Sequence, residues 1–254
     1  MTDQLTTEGK YTYLEVGEGT PLLVLHGLMG GLSNFDGVTS HFSAKGYKVI
    51  VPILPIYTKS LLKTNVKSFS KYVYEFIKFK KLDQVILLGN SLGGHIGLYL
   101  TKLHPECIKA LAITGSSGLY ENSMGSSYPR RGDYEVIKKK AQDVFYDPEV
   151  ATKEIIDEVY ETINDRNKLI KTLTIAKSAI RHNMGKELPK MTTNTCIIWG
   201  KNDIVTPPEV AEEFHRLLPN SELFWIDKCG HAAMMEHPEK FNQILDAWLT
   251  KHNL

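Results

Sequence analysis

Nowhere in the 254 residues does an apolar run approach the roughly 18 residues that a bilayer-crossing helix needs, so no transmembrane segment is expected. The opening residues, MTDQLTTEGKYTY, have neither the basic nor the apolar segment of a secretory signal. Cysteine is scarce. Cys107, Cys196 and Cys229 are odd in number and form no C-x-x-C pair, which excludes a disulfide framework and reads as reduced thiols of a cytoplasmic protein. Excess charge is lacking too: 30 basic and 29 acidic residues are interspersed, for a net charge of +1. The longest basic cluster, Lys138-Lys139-Lys140, is too short for nucleic acid and reads as a solvated helix face. No H-x-x-H or clustered Cys/His spacing marks a metal site, and no cofactor is implied. What remains is ordinary globular composition, 42% hydrophobic and 23% charged, in a chain long enough for one large core. The expected partner is a small-molecule substrate, with no nucleic acid and no membrane.

One stretch organises the rest. Residues 85–88, Val-Ile-Leu-Leu, form a short branched apolar run that reads as a buried strand. It meets Gly89-Asn90-Ser91-Leu92-Gly93, after which residues 94–98 continue with helical spacing. Strand, tight turn and helix around G-x-S-x-G give that pattern the context of a nucleophile elbow. The turn strains the backbone at Ser91, and small residues at 89 and 93 let strand and helix pack closely. The Leu92 N–H, at the start of the helix, would face a developing oxyanion.

Taken in order, Tyr11–Val16 alternates, and residues 17–21 turn it into the apolar strand 22–25, as a hairpin. That strand ends in His26-Gly27-Leu28-Met29-Gly30-Gly31, a glycine-dense loop whose Leu28 N–H could supply a second oxyanion donor. His26, at the end of a buried strand, is expected to orient the loop through a hydrogen bond. Residues 33–44 predict a helix, 48–53 a strand, 52–65 a surface loop, 65–81 an amphipathic helix and 110–114 a buried strand. Gly115-Ser116-Ser117-Gly118 reads as a turn.

From residue 119 to 189 the chain is mostly polar with helical spacing, over 134–145, 148–164 and 167–182. Residues 128–132, Tyr-Pro-Arg-Arg-Gly, are the most irregular, hinge-like part; Arg130, Arg131 or Arg181 could meet an anionic substrate, although solvation is the commoner fate of such arginines. The strand pattern then returns at 196–199 and 222–226, with helices over 208–217 and 238–252. This alternation predicts a mostly parallel sheet with helices on both faces, and in such sheets ligands gather at the carboxyl ends of strands. Leu28, Ser91, Asp203 and His231 each follow a predicted strand, so they share one edge.

A serine hydroxyl needs an adjacent base, itself oriented by an acid. Among nine histidines His231 is preferred, because Gly230 and Ala232-Ala233 flank it as at a loop tip; His215 and His252 fall on surface helices and His104 ends one. Asp203 follows a strand and precedes a confining loop, Ile204-Val205-Thr206-Pro207. Asp227 competes for the acid role, but it shares a loop with His231 and would reach it awkwardly. Cys229 reads as a small packing residue.

The order Ser, Asp, His, with the elbow and the HG loop, resembles an α/β-hydrolase-fold serine hydrolase. The matching pieces are LLVLHGLMGG, VILLGNSLGGHIGLYL, IIWGKNDIVTP and LFWIDKCGHAAMMEHPEKFNQILDAWL. The resemblance implies an α/β core over 1–118 and 190–254; the helical stretch 119–189, which has no counterpart in it, reads as an inserted cap over the site. It implies Ser91 as nucleophile, His231 as general base and acid, Asp203 as orienting carboxylate, and Leu28 and Leu92 as oxyanion donors. Met29, Asn90 and Ala232 become the expected substrate contacts, and Leu28, Met29, Met234 and Met235 point to an apolar pocket. G-N-S-x-G-G and the CGH…EHPEKFN tail are similar to the meta-cleavage-product hydrolases, which break C–C bonds. Ala232 departs from the tryptophan common there, Leu28-Met29 from a small-residue run, and residues 52–57 from the usual D-x-x-G-x-G-x-S segment. The leading expectation is a carboxylic-ester hydrolase of small or medium acyl substrates. C–C hydrolysis, perhydrolysis and a non-catalytic ligand-binding receptor are the alternatives.

Overall fold

The computed structural model describes residues 5–121 and 132–254. The hinge-like stretch at 128–131, with Arg130 and Arg131, therefore lies outside the described residues. The strands β1 (Thr6–Glu8), β2 (Tyr11–Val16), β3 (Thr20–Leu25), β4 (Tyr47–Pro52), β5 (Val85–Asn90), β6 (Ile108–Thr114), β7 (Thr195–Gly200) and β8 (Ser221–Ile226) form one sheet in the order β1-β2-β4-β3-β5-β6-β7-β8. β3 to β8 run parallel, and β2 and β1 add an antiparallel edge.

The central strands are apolar throughout because helices cover both faces. Along β5, Val85 and Leu87 point to one core while Ile86 and Leu88 point to the other; β3 splits in the same way, with Leu23 and Leu25 opposite Leu22 and Val24. On the first side lie α2 (Val66–Phe79), α3 (Leu92–Leu103) and α7 (Pro208–Leu217), through residues such as Phe69, Phe76, Ile96 and Phe214. On the second lie α1 (Asp36–Ser43), the short α8 (Ala233–Glu236) and α9 (Pro238–Lys251), through Val38, Phe42, Met234, Phe241 and Trp248. Among the described residues no helix is long and apolar enough to cross a membrane, and all three cysteines are free and buried.

Three expectations need correction. β2 and β3 are not a hairpin, because β4 lies between them. Gly17 and Gly19, at φ 82° and 108°, carry the chain past the start of β4 instead. A Cβ on Gly19 would sit 2.1 Å from the Gly46 carbonyl oxygen, so only glycine fits that crossing. The hairpin partner of β2 is β1, a polar Thr-Thr-Glu strand with no apolar alternation to mark it. Residues 52–65 are also more than a surface loop, since Leu54 and Ile56 are buried in the core beside α2.

Between β6 and β7 the described chain is helical: α4 (Tyr134–Gln142), α5 (Lys153–Asn164) and α6 (Arg166–Arg181). Each helix starts at a side-chain cap, from Asp133, Thr152 and Asp165 respectively, which explains how a polar segment holds three well-defined starts. The Thr152 cap also corrects the expected single helix over 148–164: Pro148–Val150 is a separate 3-10 turn.

Candidate active site

β3 and β5 are neighbours, yet the chain leaves β3 toward β4 on one side and β5 toward β6 on the other. This reversal opens a crevice at the carboxyl ends of β3 and β5, where ligands bind in parallel sheets. Leu28 follows β3 and Ser91 follows β5 at that point.

Ser91 holds φ 53° and ψ −119° between β5 and α3. A non-glycine residue there costs ~1–3 kcal/mol and persists only where its surroundings fix it. The Ser91 N–H donates to the Thr114 carbonyl at 3.0 Å, and the Ser91 carbonyl accepts from the His95 and Ser117 amides at 3.2 and 3.3 Å. The flanking glycines are needed for contact. A Cβ on Gly93 would lie 2.1 Å from the Leu25 carbonyl oxygen, and one on Gly89 2.5 Å from the Gly94 nitrogen. Gly93→Ala is therefore expected to lower stability by ~1–3 kcal/mol or more, from backbone that cannot step aside. Urea midpoints measure this against Gly31→Ala, where a Cβ meets nothing within 4 Å.

His231 and Asp203 are brought together across the ends of β7 and β8. Nδ1 of His231 lies 2.8 Å from Asp203 Oδ2, and both side chains are buried. Asp203 is fully engaged: Oδ1 accepts from the Val205 and Thr206 amides at 2.8 and 2.9 Å, and Oδ2 also accepts from Thr206 Oγ1 at 2.8 Å. With Asp203 Oδ2 as the acceptor, His231 Nδ1 carries the proton and Nε2 is left free to accept one. Burial alone would pull the His231 pKa down, but the Asp203 charge and hydrogen bond, helped by the Glu121 charge, outweigh it and raise it. Asp227, the competing acid, is instead paired with Lys201 at 2.6 Å on the surface.

The loop after β3 is fixed by His26. Its Nε2 accepts from the Leu54 amide at 3.0 Å, which leaves Nδ1 to donate to the Gly27 carbonyl at 2.8 Å. The buried ring stays neutral, since desolvation lowers its pKa. His26 thus orients the loop, as expected, rather than acting as a base.

These groups surround one cavity of about 170 Å³. Its floor includes Leu28, Asn90, Ser91, Leu92 and His231, and Val144, Phe145, Ile155, Val159, Ile175 and Ala179 from the inserted segment enclose it. Among the described residues Ser91 and His231 share this cavity without a direct hydrogen bond; such contacts often tighten only with substrate in place. Leu92 is the first residue of α3, so its N–H has no partner within the helix.

A sequence profile of the family described as alpha/beta hydrolase fold matches residues 20–157 and 139–238. The chain belongs to that family. It is 29% identical over 259 residues to a 2-hydroxy-6-oxo-6-(2'-aminophenyl)hexa-2,4-dienoic acid hydrolase of Metapseudomonas resinovorans, covering 94% of this chain and 87% of that one. A 2-hydroxy-6-oxononadienedioate/2-hydroxy-6-oxononatrienedioate hydrolase of a Pseudomonas species is 26% identical, with 93% and 90% covered. Among solved structures, MGS-MChE2, an alpha/beta hydrolase enzyme from the sediment metagenome of the Mar Chica lagoon in Morocco, is 60% identical. It superposes with a TM-score of 0.83 over 99% of this chain and 100% of that one.

Within this alpha/beta hydrolase the expected substrate contacts fare unequally. Met29, Ala232 and Met235 line the cavity, whereas Met234 is buried in the core beside α9. Asn90 lines it as well, but its amide donates to the Thr114 and His231 carbonyls at 3.1 and 3.3 Å, which ties the serine turn to the histidine loop. Arg181 is exposed and is not one of the lining residues. Cys229 is a buried packing residue.

Three glutamates escape sequence reasoning. Glu236 accepts from the Gly230 amide and, with its other oxygen, from the Asp147 amide, each at 2.6 Å, and so clamps the histidine loop to the segment after α4. Glu121 and Glu158 line the cavity. Glu158 stands in a polar helix whose spacing does not separate it from its solvated neighbours, and no motif marks Glu121 or Glu236.

Proposed function

We propose that this alpha/beta hydrolase is a serine carboxylic-ester hydrolase for small or medium acyl groups, working through an acyl-enzyme. The observation that carries the reading is the Asp203–His231 pair, which leaves Nε2 as the base in a cavity shared with Ser91. Its largely apolar walls suit an uncharged acyl chain, and the inserted helices serve as the cap.

In this mechanism Ser91 Oγ attacks the ester carbonyl carbon while His231 Nε2 takes its proton. The oxyanion is held by the Leu28 and Leu92 N–H groups, and removal of one such donor typically costs ~10²–10³ in kcat. His231 then protonates the departing alkoxide as the C–O bond breaks. Water, deprotonated by the same nitrogen, attacks the acyl-enzyme and releases the acid with Ser91 regenerated.

A fluorophosphonate probe tests this. Label is expected on Ser91, absent from Ser91→Ala and His231→Ala, with p-nitrophenyl ester turnover that depends on acyl length. A folded protein that takes no label would favour a ligand-binding module. C–C bond hydrolysis is the second reading, supported by the names of the relatives at 29% and 26% identity. A kcat/KM for dienoate ketones above that for every ester would put it first.

A further inference from the structure

Among the described residues the cavity walls carry two ionisable side chains besides His231, and both are acidic: Glu121, at the root of the inserted segment, and Glu158 on α5. A second cavity of about 220 Å³ adjoins the first. Leu28, Met29, Gly30, Glu158 and Val159 line both, so Glu158 stands where the two chambers meet. Glu121 sits deeper. Burial pushes its carboxyl above the usual range against the pull of the His231 charge, and its own charge in turn helps to raise the His231 pKa. The two groups therefore interact within the site. Among the described residues no lysine or arginine lines either chamber.

We propose that Glu121, assisted by Glu158, makes this pocket select against anionic substrates, so that the substrate is an uncharged ester or one with a cationic acyl arm. This rests on the ester-hydrolase reading and adds the charge of the substrate to it. A substrate carboxylate would meet like charge at Glu121, which is partly buried, and at the more exposed Glu158, and like charges facing each other discriminate between ligands. The same Glu121 charge favours the imidazolium that His231 becomes as Ser91 attacks. Repulsion of the anion and support of the transition state thus come from one group. The dienoic acid and dienedioate of the relatives' names are anions, and this chain is expected to handle such compounds poorly.

The test compares p-nitrophenyl esters of heptanoate, 6-aminohexanoate and hydrogen adipate at neutral pH. Both charged arms lose hydration on entry, so the ratio of the cationic to the anionic ester isolates the sign of the pocket. In the wild-type protein that kcat/KM ratio is expected to be roughly tenfold or more, the effect of like charges facing each other in a site. It should collapse toward unity in Glu121→Gln and move part of the way in Glu158→Gln. A wild-type ratio of one or less, or a ratio unchanged in both variants, overturns the proposal whatever the folding of either variant. If the esters are inert and a dienoate ketone is turned over, the ester reading has failed alone. The charge rule then stands if Glu121→Gln raises kcat/KM for that dienoate and falls if it does not.

Discussion

Replacement of Ser91 by alanine is expected to lower kcat for ester hydrolysis by roughly 10⁶-fold, the scale of losing a serine nucleophile. The loss should be chemical, not structural. Ser91 Oγ is not what holds the turn: the bonds that fix it run through the Ser91 N–H and carbonyl, to Thr114, His95 and Ser117. Alanine keeps those backbone groups and bears the same φ of 53°. The thermal midpoint should therefore stay near that of the wild type while turnover and probe labelling vanish. Steady-state assay with a p-nitrophenyl ester and a melting curve on the same sample measure both. Retention of more than a tenth of the activity would move the nucleophile elsewhere.

Asp203→Asn carries the second large effect, a fall of roughly 10⁴-fold in kcat, as when a triad carboxylate is replaced by its amide. The geometry gives the reason. Asp203 presents four acceptor contacts, to two backbone amides, one hydroxyl and His231 Nδ1. An amide has one oxygen. If that oxygen faces the Val205 and Thr206 amides, the NH₂ faces His231 and holds it in the tautomer with Nε2 protonated, which cannot accept the serine proton. If the side chain is reversed, the NH₂ meets two backbone donors. Neither orientation preserves the base.

The residual activity should also change its pH dependence. His231 must be neutral in the free enzyme to act as base, so kcat/KM falls as pH drops through its pKa, which the Asp203 charge and hydrogen bond and the Glu121 charge raise. Removal of either charge lowers that pKa and moves the acid limb of the profile to lower pH. Asp203→Asn should shift it further than Glu121→Gln, because the Asp203 charge acts more strongly on the ring and is joined by a direct hydrogen bond. A limb that moves upward in either variant would contradict this assignment of charges.

Much of this was legible in the sequence because it depends on local chain. A branched run such as residues 85–88 reads as buried, and a G-x-S-x-G turn admits few backbone paths. Those constraints act within a few residues, so the strand–turn–helix at Ser91, the alternation of elements and the edge shared by Leu28, Ser91, Asp203 and His231 could be read in advance. What depends on distant partners could not. The register of β2 against β4 rather than β3 is set by two glycines that must clear the start of another strand. Asp203 is already preferred over Asp227 from the sequence, but the pairing of Asp227 with Lys201 on the surface appears only in the structure. Among the described residues, the acidic lining of the cavity arises because the inserted segment brings Glu121 and, on α5, Glu158 into it. Charge and burial at such positions depend on what faces them across space, and for these side chains only the tertiary structure supplies that.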